Sequence, residues 1–160
     1  MSTQDRRATD HRLDEAAAIC AKRGAKLTEL RRLVLSLILD AAAPPTAYQL
    51  LDRMQEARKG AVPPTVYRAL EFLMEQGLVH KLERLNAFVP CIDADHRDHA
   101  AQFLICKQCG TVTEIEDGPT SRALKRAAEI QGFLTESAIV ELVGLCAACA
   151  PSATGHRAAP

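Results

Sequence analysis

The chain has 160 residues, with 20 Lys+Arg balanced by 20 Asp+Glu, five His, six Cys and no Trp, and 48% of it is apolar. That length suits one domain or two small ones with a real core, and a 25% charged fraction excludes a globally disordered chain. The longest apolar stretch, Leu33 to Leu39, is broken by Ser36 and too short to span a bilayer, and MSTQDRRATDHRLDE lacks the apolar run of a signal peptide. A cytoplasmic protein with reduced thiols is therefore expected, which turns the cysteines towards metal or redox chemistry.

In chain order, Cys20 reads as a buried core thiol on a first helix. Leu30, Leu33, Val34, Leu37 and Ile38 then share one helical face, with Thr28 as the expected N-cap. Pro44 and Pro45 end that helix. Thr46 caps a second over Ala47 to about Ala57, with Leu50, Leu51 and Met54 inward. Pro63 and Pro64 suit the first turn of a third, along which Val66, Leu70, Leu73 and Met74 recur at helical spacing; Gly77 stops it. Two short strands, Leu78–Leu82 and Ala87–Pro90, follow around a turn at Glu83–Asn86. This order is that of a winged helix-turn-helix. Beyond it, Gln102–Cys106 and Thr111–Glu116 read as strands around a CKQCG turn. A helix runs from Gly118–Pro119 to about Gln131, with Leu124, Ala127, Ala128 and Ile130 as its apolar residues, and Ser137–Leu145 reads as a last strand. The expected fold class is α+β. A winged-helix domain over 1–90 leads through a hinge at 91–101 to an α/β domain with a small sheet at 102–150, and a disordered tail covers 151–160. Charge divides likewise: Met1 to Arg84 carries fourteen Lys+Arg and eleven Asp+Glu, net +3, and Leu85 to Pro160 six and nine, net −3.

Cys106-x2-Cys109 and Cys146-x2-Cys149 carry the strongest chemical signal. Two residues between cysteines let both thiolates of a tight turn face one tetrahedral ion, and two such pairs complete a structural zinc site. A thioredoxin-type redox pair wants a helix start after a strand, a context neither pair has. His80, Cys91, His96, His99 and Glu114 form a second, scattered set. Their separations of eleven, five, three and fifteen match no local zinc finger. An ion held by His80, Cys91, His99 and Glu114 would tie the halves together; the alternative is a solvated acidic linker with incidental histidines. The exposed side of the third helix offers Thr65, Tyr67 and Arg68, and Tyr48 opens the helix before it. Arg68 suits a bidentate contact with guanine and Thr65 a phosphate near the helix start, with Lys22, Arg23, Lys26, Arg31 and Arg32 available to backbone phosphates. The alternative is a solvated polar face.

The runs PPTVYRALEFLMEQGLVHKLE (63–83), ICKQCGTVTEIED (105–117) and LCAAC (145–149) resemble, in order, the ferric uptake regulator superfamily, and within it the zinc uptake regulator branch. The resemblance implies a homodimeric, metal-sensing winged-helix repressor with an α/β dimerisation domain. It would bind palindromic AT-rich operator DNA of zinc-homeostasis genes when zinc-loaded, and would be neither an enzyme nor a membrane protein. It also implies two Zn2+ per chain. Cys106, Cys109, Cys146 and Cys149 take the structural-zinc positions, His80, Cys91, His99 and Glu114 the sensing positions, and Tyr48 and Arg68 operator-contacting ones. Some relatives bind a further ion near the hinge, to which Asp93, Asp95 and His96 could contribute here; the alternative, which the residues favour, is a solvated acidic loop. The iron and peroxide branches usually carry a His-rich HHxH-type run before the first CxxC, where this chain has Asp95-His96-Arg97-Asp98-His99. That departure, with the soft ligand Cys91, turns the reading from iron to zinc. A redox, peroxide or iron sensor on the same scaffold is the alternative. A zinc hydrolase would need an open coordination position, and a deaminase an H-x-E motif, whereas His99 is followed by Ala100 and Ala101.

Overall fold

A computed structural model describes residues 3–57, 62–91 and 101–150, and the chain divides into two compact units, Met1–Arg97 and Asp98–Pro160. Among the described residues no helix is long and apolar enough to cross a membrane.

The first unit begins with α1 (Thr3–Lys22), followed by α2 (Glu29–Leu39), α3 (Ala47–Ala57) and α4 (Pro63–Glu75), then the antiparallel hairpin of β1 (Val79–Leu82) and β2 (Ala87–Pro90). Each boundary has a local cause. Thr46 and Gln49 form a reciprocal capping box at α3: the Thr46 amide donates to Gln49 Oε1 at 2.8 Å and the Gln49 amide to Thr46 Oγ1 at 3.3 Å. Pro63 and Pro64 open α4 where their missing N–H groups cost nothing. Gly77, at φ +66°, closes it: its amide donates to Met74 O and that of Leu78 to Leu73 O, both at 2.9 Å, and this left-handed turn is one that glycine adopts freely. Thr28 departs from expectation. It has the extended backbone of an N-cap, but its side chain makes no capping hydrogen bond, and its carbonyl accepts from the Arg32 amide at 2.8 Å.

One core joins these elements. Leu13, Ala16, Ile19 and Cys20 of α1 meet Val34, Leu35 and Ile38 of α2, Leu50 and Met54 of α3, Val66, Ala69, Leu70, Phe72 and Leu73 of α4, and Val79 and Phe88 of the hairpin. Burying each large side chain is worth about 1.5–3 kcal/mol, so helices too short to persist alone hold together. The hairpin is pinned to the loop before α3: the Phe88 amide donates to Pro45 O at 2.9 Å, and Thr46 bridges Ala87.

In the second unit β3 (Ala101–Cys106) is the central strand, antiparallel to β4 (Val112–Ile115) and parallel to β5 (Ile139–Gly144), with α5 (Gly118–Ile130) connecting β4 to β5. Gln102, almost fully buried on β3, donates to Asp117 O at 3.0 Å and Ser121 Oγ at 2.9 Å, fixing the start of α5 to the sheet. Asp117 is the N-cap. Its carboxylate accepts from the Thr120 side chain and amide, which hold it below the usual carboxylate range. The stabilisation is thus complete above the ordinary carboxylate pKa and lost as pH falls through the depressed folded-state value. Asp117→Ala is expected to speed amide exchange at Thr120 roughly two- to thirty-fold at neutral pH, as measured by hydrogen exchange; unchanged exchange there contradicts the cap.

Candidate metal centre

The four-sulfur cluster lies in the second unit. Cys106 ends β3 and Cys109 follows in a turn that the left-handed Gly110 (φ +73°) closes through its amide bond to Cys106 O at 2.9 Å. Cys146 comes two residues after β5, and the Cys149 and Ala150 amides fold back onto its carbonyl at 2.9 and 2.8 Å. Because β3 and β5 pair in parallel with Cys106 opposite Gly144, the two turns meet at one end of the sheet. The four Sγ atoms lie within 4.8 Å of one another, and Cys109 Sγ is 3.7 Å from Cys146 Sγ. A tetrahedron with Zn–S bonds of about 2.3 Å has edges of about 3.8 Å, so the spacing suits zinc. All four cysteines are free thiols.

The electrostatics of the cluster favour a cation. Backbone amides of Cys109 and Cys146 pointing at Cys106 bring its thiol down to about 6, and the Cys146 amide stands 3.4 Å from that sulfur. Cys109 is also lowered, chiefly by Thr111, whose Oγ1 lies 3.1 Å away. Cys149, facing the sulfurs of Cys146 and Cys109, is pushed up to about 12. The set is poised to ionise in part and resists full ionisation alone; a divalent ion removes that conflict.

The scattered set divides between the units. His80 stands on β1 opposite Val89, half-buried, with its Nε2 shielded from solvent. Cys91 follows β2 and is buried, its amide donating to Leu78 O at 3.0 Å. The hairpin register therefore brings a His80 ring nitrogen and Cys91 Sγ within 4.8 Å, close enough to share an ion. Glu114 lies on β4 of the second unit opposite Phe103, half-buried. Asp93, Asp95, His96 and His99 lie outside the described residues, as do positions 92–100 of the hinge expected over 91–101 and the expected tail.

On the first unit, Tyr48 is 69% and Tyr67 45% exposed; Arg68 is exposed and Thr65 half-exposed, on the face of α4 away from Val66, Leu70 and Leu73. The basic residues before and at the start of α2 have partners that the sequence did not reveal. Arg23 donates to Gln76 O; the Arg31 guanidinium stacks 3.4 Å from the Phe72 ring centroid and donates to Lys26 O at 2.7 Å. Arg32 binds Asp14 Oδ1 at 2.8 Å and Leu13 O at 3.3 Å. Three of the five cations expected to face phosphate thus brace the fold. Cys20 is fully buried in the core, and burial pushes its thiol up against the smaller opposing effect of Arg23 and Arg31.

Fold and cluster define a class: a winged helix-turn-helix protein carrying, in a separate α/β unit, four cysteines spaced to hold a metal ion. A model of the ferric uptake regulator family matches residues 22–143, and the chain belongs to that family. It is 41% identical over 141 residues to the zinc uptake regulation protein of Escherichia coli (strain K12), spanning 88% of this chain and 82% of that one. Among solved structures, a zinc uptake regulator complexed with zinc and DNA superposes with a TM-score of 0.82 at 40% identity, covering 92% of this chain and 95% of that one. Holo XcZur does so at 0.78 and 44% identity, covering 85% and 94%.

Proposed function

We infer that this protein is a zinc-responsive transcriptional repressor. The observation that carries it is the likeness, over nine-tenths of the chain, to a zinc uptake regulator solved with zinc and DNA. As a member of a family of regulators it is not an enzyme. It acts in the cytoplasm on palindromic AT-rich operators of zinc-homeostasis genes, as a zinc-loaded homodimer. The second unit supplies the dimer contact: no residue of α5 is buried, and Ile130, Phe133 and Leu134 are 72%, 64% and 91% exposed. So much unburied apolar surface on a small unit fits a face that a second copy covers.

Each chain holds two zinc ions. Cys106, Cys109, Cys146 and Cys149 hold the structural one, as the sulfur spacing supports. The sensing zinc takes His80 and Cys91 from the first unit and His99 and Glu114 from the second. Zinc supplies a divalent centre that prefers these N, S and O donors in tetrahedral array. In a two-fold dimer the recognition helices must match successive major grooves about 34 Å apart, and ligands drawn from both units make that arrangement metal-dependent. α4 is the recognition helix, with Arg68 reading guanine, Thr65 and Tyr67 beside it, and Tyr48 contacting the operator from α3.

Gel retardation on a palindromic AT-rich operator tests this. Zinc should tighten binding, and Arg68→Ala should weaken it about tenfold or more, the loss of one bidentate base contact. Equal retardation with and without zinc would sink the zinc-sensing reading.

A further inference from the structure

The proposed ligand Cys91 is tied to a part of the chain that the zinc mechanism leaves unused. Its amide makes the last rung beyond the hairpin, to Leu78 O, while its carbonyl accepts from Arg12 Nη2 of α1 at 3.1 Å, across 79 residues of sequence. Arg12, Ala16 and Ile19 follow one another at helical spacing, so the Arg12 stem lies beside the buried face of α1 and its guanidinium reaches the end of β2. α1 is itself held to α2 and its C-cap: Arg32 donates to Asp14 at 2.8 Å and to Leu13 O at 3.3 Å, and Thr9 Oγ1 to Asp40 Oδ1 at 2.6 Å.

We propose that Arg12 is a positioning residue for the sensing zinc: it fixes the backbone of Cys91 and thereby couples α1 to occupancy of that site. The inference rests on Cys91 being a zinc ligand. A cysteine has one side-chain torsion, so once its backbone is clamped at amide and carbonyl only a rotamer choice remains for Sγ. The amide clamp joins the two residues that flank the hairpin's open end. The carbonyl clamp is the only one of the two that comes from another element, and it crosses to a helix braced against the helix-turn-helix. Groups that orient metal ligands without touching the metal typically contribute ten- to a hundredfold in affinity. Linkage runs both ways: if Arg12 improves zinc binding, zinc must steady the Arg12–Cys91 contact, and with it α1.

The 160-residue chain, its four-cysteine site filled, is titrated with zinc against a chromophoric chelator, and amide exchange along α1 is followed with and without the chelatable zinc. Arg12→Gln is expected to weaken the chelatable zinc about tenfold and to abolish zinc-dependent protection of α1, while the tightly held zinc is unchanged. Arg12→Lys, which keeps a cationic donor, recovers part of the loss. Unchanged affinity in Arg12→Gln overturns the proposal, as does an equal loss at both zinc sites, which signals general damage. Cys91→Ser separates the two layers. If it loses the chelatable zinc while Arg12→Gln does not, the Arg12 inference alone falls; if it keeps that zinc, the sensing-site reading falls and takes this one with it.

Discussion

Cys106→Ser is expected to purify without its tightly bound zinc and with the sheet of the second unit unfolded, while the first unit stays folded. The reason is the small core that the second unit builds for itself. Its sheet has three strands, the buried side chains fall on β3, and α5 contributes none. Cys106 and Cys146 sit at the joined ends of β3 and β5, strands separated in sequence by β4 and α5, so the proposed ion would close a long loop. Structural zinc contributes about 10–16 kcal/mol of apparent folding energy in small metal-bound domains, comparable with the whole stability of an ordinary domain. A serine hydroxyl is a hard, weakly acidic donor that does not replace a thiolate. The first unit has its own core around Leu50, Met54, Leu70 and Leu73, all essentially inaccessible to solvent, and requires no metal. Hydrogen exchange should therefore show β3 amides losing protection while those of α4 keep theirs, with metal analysis falling by one zinc per chain. Wild-type zinc content with an intact β3 contradicts the assignment.

Legibility in the sequence follows the range of the interaction. Helices α2 to α4 and the hairpin were readable because their signals are local: the prolines at 44–45 and 63–64, Thr46 and Gly77 each act within one turn. The two CxxC pairs were readable for the same reason, since a knuckle is set by two intervening residues and the parallel β3–β5 pairing brings the pairs together. Most of α1 escaped. Its 20 residues are charged over much of their length and its buried stripe is narrow, Leu13, Ala16, Ile19 and Cys20, two of them small. Charge misled where partners are distant. Arg23, Arg31 and Arg32 look like a phosphate-binding cluster, yet they contact Gln76, Phe72 and Asp14, and no local rule names those residues. Thr28 has both the residue type and the extended backbone of a cap without the side-chain bond, so residue type permits a cap and does not ensure it. His80 and Cys91 illustrate the same limit at the site. Eleven residues apart, they mean nothing by spacing; hairpin register makes them neighbours. The residue types alone left an ion shared with His99 and Glu114 level with a solvated linker, and the resemblance to a family decided between them.

His80→Ala and Cys91→Ser should each abolish the zinc response of operator binding without removing the structural zinc. Wild-type protein is expected to bind its operator about 5- to 150-fold more tightly in zinc, the range of ordinary coupling between two sites. Either variant should lower that ratio to about one, its affinity matching that of the zinc-free wild type. Folding should survive, because the hairpin is held by Val79, Leu82 and Phe88 in the core and by the Phe88–Pro45 bond rather than by the two ligands. The four sulfurs of the second unit are untouched, so one zinc per chain should resist chelation in both variants. Acid should mimic the variants in part, since zinc binds a deprotonated thiolate and a neutral imidazole and protons compete for both. Reciprocity gives the most stringent check. If zinc tightens DNA, operator DNA must tighten the chelatable zinc by the same factor, and a chelator titration with and without operator should return that factor for the wild type and about one for each variant. A variant that keeps the full zinc response, or a wild type whose zinc affinity ignores DNA, removes His80 and Cys91 from the sensing site.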